Sequence, residues 1–129
     1  MANSQTVAFS YLYQDKILFL NHDLDEIVTV KGKDSKVFID SDDTNSIIYY
    51  LSGYAGKDKF YFKNIGCTSN ELDEGKKKTS IEVFDNKGTP LFKYYLDNFV
   101  YCFVVDENNN KLYAYGYDDD VLLVYDIDE

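Results

Sequence analysis

From Ser80 onward, five short apolar or aromatic runs follow one another, each ended by a cluster of turn residues: Ser80–Asp85, Pro90–Leu96, Val100–Asp106, Lys111–Tyr117 and Val121–Ile127. The phrase IEVFD at Ile81–Asp85 returns as LLVYDI at Leu122–Ile127, after a full set of such runs. Recurrence of this kind marks a sheet module repeated along the chain. No stretch carries apolar residues at the three-and-four spacing of a long helix. The aromatic content points the same way, with 13 Tyr, 9 Phe and no Trp, because Tyr and Phe suit pleated, half-buried surfaces. The expected class is all-β.

The first half of the chain continues the pattern. Strands are expected over Thr6–Tyr13, Lys16–Leu20, Glu26–Val30, Lys36–Ile39, Ile47–Ser52 and Lys59–Asn64. Lys16–Leu20 (KILFL) is a continuous apolar run, as in a strand buried on both faces. Gly53–Asp58, with two glycines, reads as a loop or bulge, and Gly66–Lys78 as an exposed polar loop. Asn86–Gly88 supplies a hairpin turn with its positive-φ residue, and Pro90 suits an edge strand. Asp40–Asn45 is the strongest module boundary by composition. The result is one domain of about eleven strands in consecutive antiparallel meanders, with modules at approximately 6–39, 46–96 and 99–127. Three modules in 129 residues leave about 43 each, inside the range of propeller blades.

The net charge is −10, and all 13 basic residues are Lys. A nucleic-acid interface needs a basic face for phosphates and favours Arg for base edges, so no nucleic-acid partner is expected. No segment has the length of a membrane span. Met1–Thr6 lacks the basic start and apolar stretch of a secretory signal. The cell envelope or periplasm is therefore expected if a signal has been removed, and the cytoplasm otherwise. Cys67 and Cys102 form no disulfide framework, and Cys102, inside Val100–Val105, reads as a small buried side chain.

The candidate chemistry is sparse. Asp40, Asp42, Asp43 and Asn45 offer oxygen ligands for calcium, but an EF-hand wants Gly at the sixth place and Glu at the twelfth, where Asn45 and Leu51 stand. A solvated turn explains them better. Asp106, Asn108 and Asn110 read as an Asn-rich hairpin turn, and Asp118–Asp120 as a turn. His22 is the one histidine. It has no zinc ligand set around it, and no G-x-S-x-G elbow accompanies it. Ser52–Lys57 (SGYAGK) lacks the ending of a phosphate-binding loop. No catalytic, cofactor-binding or metal-binding residue is assigned, and no cofactor is expected. Strand tyrosines mostly pack against their neighbours. Tyr54 and Tyr117, close to glycines and turns, are the ones expected to be exposed. With Asp118 and Asp119 they form the candidate ligand or partner surface.

Lys77–Asp97 (KKTSIEVFDNKGTPLFKYYLD) and Phe103–Asp128 (FVVDENNNKLYAYGYDDDVLLVYDID) together carry a resemblance. The chain resembles the TolB-like six-bladed β-propeller proteins of Bacteroides-type bacteria, many of them classed as lipoproteins. The resemblance implies that one blade ends in a strand at Ser80–Phe84, turns at Asp85–Gly88 and returns along Leu91–Leu96. It implies that the next blade opens with a strand ending Val105–Glu107, turns through Asn108–Asn110 and continues along Leu112–Asp119. The similarity is good over Ile47–Glu129 and weak over Met1–Asp40. A six-bladed ring needs about twice this length. Three outcomes follow: two copies close one ring as a homodimer, the chain is part of a longer protein, or the strands close on themselves as a barrel or sandwich.

Three functions remain open. The first is a non-enzymatic binding or scaffold module that holds an unidentified protein or small ligand on loop tips or a sheet face; the resemblance implies the funnel at the ring centre as the default binding place. The second is a small acidic inhibitor or immunity-type protein that docks on a basic partner, as the charge allows. The third is a hydrolase or lyase fragment of a propeller enzyme, using Asp residues and His22.

Overall fold

The computed structural model describes residues 1–32, 46–73, 79–116 and 121–127. Its strands are β1 (Val7–Ser10), β2 (Lys16–Leu20), β3 (Glu26–Lys31), β4 (Ile47–Ala55), β5 (Lys59–Thr68), β6 (Ser80–Asp85), β7 (Pro90–Tyr95), β8 (Val100–Asp106), β9 (Lys111–Gly116) and β10 (Leu122–Asp126). One short helix, α1 (Ser69–Asp73), joins β5 to β6. The protein is all-β. All pairings are antiparallel between sequence neighbours, giving a first sheet β1-β2-β3, a middle sheet β4-β5-β6-β7 and a last sheet β8-β9-β10. The strand expected at Lys36–Ile39, the boundary at Asp40–Asn45 and the turn at Asp118–Asp120 lie outside the described residues.

The sheets stack face to face, and β5 is the reason they do. Its residues Phe60, Tyr61 and Phe62 are 0% exposed and Lys63 2%. Strand side chains alternate between faces, so Phe60 and Phe62 meet the first sheet while Tyr61 and Lys63 meet the last. On the first side, Phe19 of β2 sits among Phe60, Phe62 and Phe84 with ring centroids 5.9, 6.3 and 5.7 Å apart, mostly edge-on. Ile17 and Ala8 join this cluster. On the other side, Tyr61, Ile81 and Val83 pack with Val100, Phe103, Val105, Leu112 and Ala114.

Several strands depart from the sequence reading, each for a local reason. KILFL is not buried on both faces: Ile17 and Phe19 are sealed, whereas Leu18 points away from the stack and is half-buried. The doubly buried strand is β5, whose lysines hid it. Strand β4 runs through Gly53 to Ala55, so the chain turns only at Gly56–Asp58, and the ladder shift lies earlier, around Tyr50. Gly66, at φ +69°, is a bulge within β5 and does not open a loop. After Thr68 comes a one-turn helix closed by a reciprocal cap: Glu71 N–H donates to Thr68 Oγ1 at 3.2 Å, and Thr68 N–H donates to Glu71 Oε1 at 3.2 Å. Cys102 is exposed rather than buried. A bulge inserts Tyr101 between the ladder pairs Val100–Gly116 and Cys102–Tyr115, which shifts Cys102 to the outer face.

The β6–β7 turn holds the first sheet in place. Asp85 Oδ1 accepts from Lys87 N–H (2.8 Å) and Thr89 N–H (2.9 Å), and Gly88 takes φ +80°. A Cβ on Gly88 would lie 2.4 Å from Val28 Cγ1 and 2.9 Å from Phe19. Gly88→Ala is therefore expected to cost about 2–4 kcal/mol, from left-handed backbone strain plus displacement of the first sheet. Urea unfolding checks this, and a change below about 0.5 kcal/mol would contradict the packing described.

Candidate binding surface

Turns from all three sheets meet at one end of the stack. The N-terminal segment reaches the middle sheet through three hydrogen bonds: Asn3 Nδ2 donates to Gly56 O (3.2 Å) and to Asn86 Oδ1 (2.7 Å), and Thr6 Oγ1 donates to Asn86 O (2.9 Å). From the other side comes Glu107, at the β8–β9 turn. Its carboxylate accepts from Lys57 N–H (2.7 Å) and from Tyr61 OH (3.2 Å). The Gly56–Asp58 turn is thus clasped from both neighbouring sheets. A Cβ on Gly56 would lie 2.4 Å from Glu107 Oε1, so a side chain there would displace the carboxylate from its present place over the turn.

Beneath this rim lies Tyr54. It is half-buried, with its ring 6.1 Å from that of Tyr61 and steeply tilted to it. The expectation that Tyr54 lies open beside a turn is corrected, because β4 continues past it and carries its ring against the last sheet. Tyr117, Asp118 and Asp119 lie outside the described residues. The structure therefore places one of the four expected surface residues, at the edge of the clasped turn.

His22 lies at the same end. Its Nε2 is 2.9 Å from Asn3 O, the one hydrogen bond the ring makes among the described residues. A ring nitrogen facing a carbonyl carries the proton and donates it, so His22 braces the N-terminal segment rather than facing a hydroxyl or a carboxylate. The Asn-rich turn takes the expected form, with Asp106 Oδ2 accepting from Asn109 Nδ2 (2.8 Å) and Asn110 at φ 54°. No group of three or more His, Cys, Asp or Glu among the described residues could hold a metal ion. Cys67 and Cys102 are free thiols. No helix of the described residues is long and apolar enough to cross a membrane.

Two polar seams within the stack escaped the sequence reading. Between the first and middle sheets, Tyr50 OH donates to Asp15 Oδ1 (3.1 Å); within the middle sheet beside it, Asn64 Nδ2 donates to Glu82 Oε2 (2.8 Å). Burial holds the Tyr50 phenol well above its ordinary range, and the Glu82 and Asp15 carboxylates add to the effect. Between the middle and last sheets, the buried Lys63 ammonium donates to Val100 O (3.1 Å) and to Tyr101 O. Those two successive carbonyls belong to the β8 bulge, which aims both of them inward. Burial lowers the Lys63 pKa from 10.5 to about 8, with the nearby Cys102 sulfur acting in the other direction. Alternation in KFYFKN puts Lys63 on the same face as Tyr61, but that spacing does not tell that the face is covered by another sheet.

No protein-family model and no curated protein matches the chain. The fold is similar to that of a chain in a solved structure, the complex of KlAtg21 with the coiled-coil of AgAtg16. The TM-score is 0.60 at 12% sequence identity, over 98% of this chain and 36% of that one. This chain thus spans about a third of the length of the one it matches, and at this identity the likeness is one of fold.

Proposed function

We propose that the protein is a non-enzymatic binding or scaffold module of β-propeller type that holds its partner at the clasped turn end. The observation that carries this reading is the gathering of turns from three stacked meander sheets around Gly56–Asp58, with hydrogen bonds from both sides. The hydrogen bonds hold these turns in place on the stack, the arrangement in which loops on a fixed scaffold do their work. The polar groups identified there, Asn3, His22, Asn86 and Glu107, are engaged in bracing the turns and do not pair a nucleophile with a base. The resemblance to TolB-like propeller proteins over Ile47–Glu129 supports this reading.

A net charge of −10 favours a second reading, an acidic inhibitor or immunity-type protein docked on a basic partner. Salt separates the two. Capture by immobilised protein is expected to survive about 0.5 M salt under the scaffold reading and to disappear under the acidic one, because screening at that strength acts within a few ångströms. Lys57→Glu at the clasped turn is expected to abolish capture, and Tyr95→Ala, on the outer edge strand, to leave it intact. Equal capture by both variants would remove the turn end from consideration. Turnover of a substrate that vanishes in His22→Ala would overturn the non-enzymatic reading.

A further inference from the structure

Among the described residues, the two outermost faces of the stack carry no covering element. On the last sheet, the register aligns two cross-strand rows, Cys102–Tyr115–Leu122 and Val104–Tyr113–Val124, on the face turned away from the core. Leu122 is 81% exposed and Val124 58%. On the first sheet the outward face carries the row Phe9–Leu18–Thr29 beside the Lys16–Lys31 pair, with Phe9 52% exposed. The contiguous apolar rows of the last sheet mark a contact site, and the first sheet offers a smaller apolar row flanked by lysines.

These two faces differ in kind. Within the chain the middle sheet turns one face to the sheet before it and the other to the sheet after it. The open face of the last sheet corresponds to the middle sheet's Tyr61 face, which accepts a following sheet. The open face of the first sheet corresponds to the Phe103 face, which seats on a preceding one. They are complementary to each other rather than each to itself. We propose that a second copy of this chain is the occupant, its first sheet stacked on the last sheet of its partner and the reverse, so that two copies close a ring of six sheets.

The area is sufficient. Three strands about 4.8 Å apart and about 17 Å long give a face of about 250 Å². Two such faces on each of two copies reach about 1,000 Å², the lower bound for a biological interface. A head-to-tail contact that did not close would propagate into filaments, whereas closure after two copies leaves no apolar face open. Each copy carries a charge of −10, so the pair forms against long-range repulsion and tightens as salt rises. An acid-on-base complex would do the opposite. The inference rests on the stacking of the sheets and not on what the turn end binds.

Sedimentation equilibrium of the 129-residue chain tests it. The expected mass is twice 15.0 kDa. Val124→Asp, on the last sheet, and Phe9→Asp, on the first, are each expected to weaken pairing by about 100-fold or more and to give 15.0 kDa with circular dichroism unchanged. Leu122→Glu, at a more exposed position, replaces Val124→Asp if that variant fails to fold. A mixture of Val124→Asp and Phe9→Asp keeps one intact interface and is expected to recover a weaker pair. The proposal is overturned by a wild-type mass of 15.0 kDa at about 100 μM or by open assemblies larger than two copies. It is equally overturned if Phe9→Asp leaves the pair undisturbed, or if the mixture shows no recovery.

Discussion

Phe62→Ala is expected to lower the unfolding free energy by about 3–5 kcal/mol, the cost of a large cavity in a packed aromatic cluster. Phe62 is fully buried and meets four rings: Phe19 of the first sheet, and Tyr50, Phe60 and Phe84 of its own, at 5.8–6.3 Å. Removing it therefore loosens the first sheet from the middle one as well as weakening the middle sheet. For a chain of this length the melting temperature should fall by about 10–20 °C. Tyr95→Ala is the comparison. Tyr95 lies on the edge strand β7 and is 77% exposed, so its loss is expected to stay within about 0.5 kcal/mol. Equal losses in the two variants would mean that the middle sheet is not the keystone of the stack.

The second large effect depends on pH. Lys63 is ionised at neutral pH in both folded and unfolded chains, yet its folded pKa is about 8 against 10.5 when free. A depressed lysine pKa means that the folded state binds the proton more weakly. The resulting penalty is present in full below pH 8 and is relieved as pH rises from about 8 to 10.5. Lys63→Met removes this dependence. The stability difference between wild type and variant should therefore shift by roughly 2–3 kcal/mol in favour of wild type between pH 7 and pH 10. At pH 7 the methionine variant escapes the cost of the buried ion but withdraws the donor from the Val100 and Tyr101 carbonyls, so the two effects oppose each other and the pH dependence is the decisive readout. Tyrosine ionisation in the unfolded chain affects both proteins alike and cancels in the difference. Parallel stability profiles from pH 7 to pH 10 would refute the buried-ammonium account.

The strands themselves could be read directly. Lys16–Leu20, Ser80–Asp85 and the starts of β4, β5, β7, β8 and β9 fall where apolar runs and turn clusters place them. Asn86–Gly88 and Asn108–Asn110 announce their turns because positive φ demands Gly or Asn. The capped helix at Ser69 was legible too, in Thr68 and Glu71, but one turn inside a polar stretch has too few apolar residues to stand out. Tyr54 was misplaced because two flanking glycines look like a loop, while here one lies in the strand and the other admits the Glu107 carboxylate.

Alternation and turn chemistry are properties of a few neighbouring residues, so the sequence by itself determined the class, the antiparallel meanders and most strand positions. Which faces are covered depends on residues far apart in the chain, and the tertiary structure alone decided it. KILFL and KFYFKN carry similar apolar patterns, yet only the second lies between two other sheets, because β5 has a packed layer on each side and β2 on one. The same distant contacts turned a lysine into a buried ion and a bulge into its ligand. Neither can be read from spacing, because both depend on another strand's carbonyls arriving at that depth.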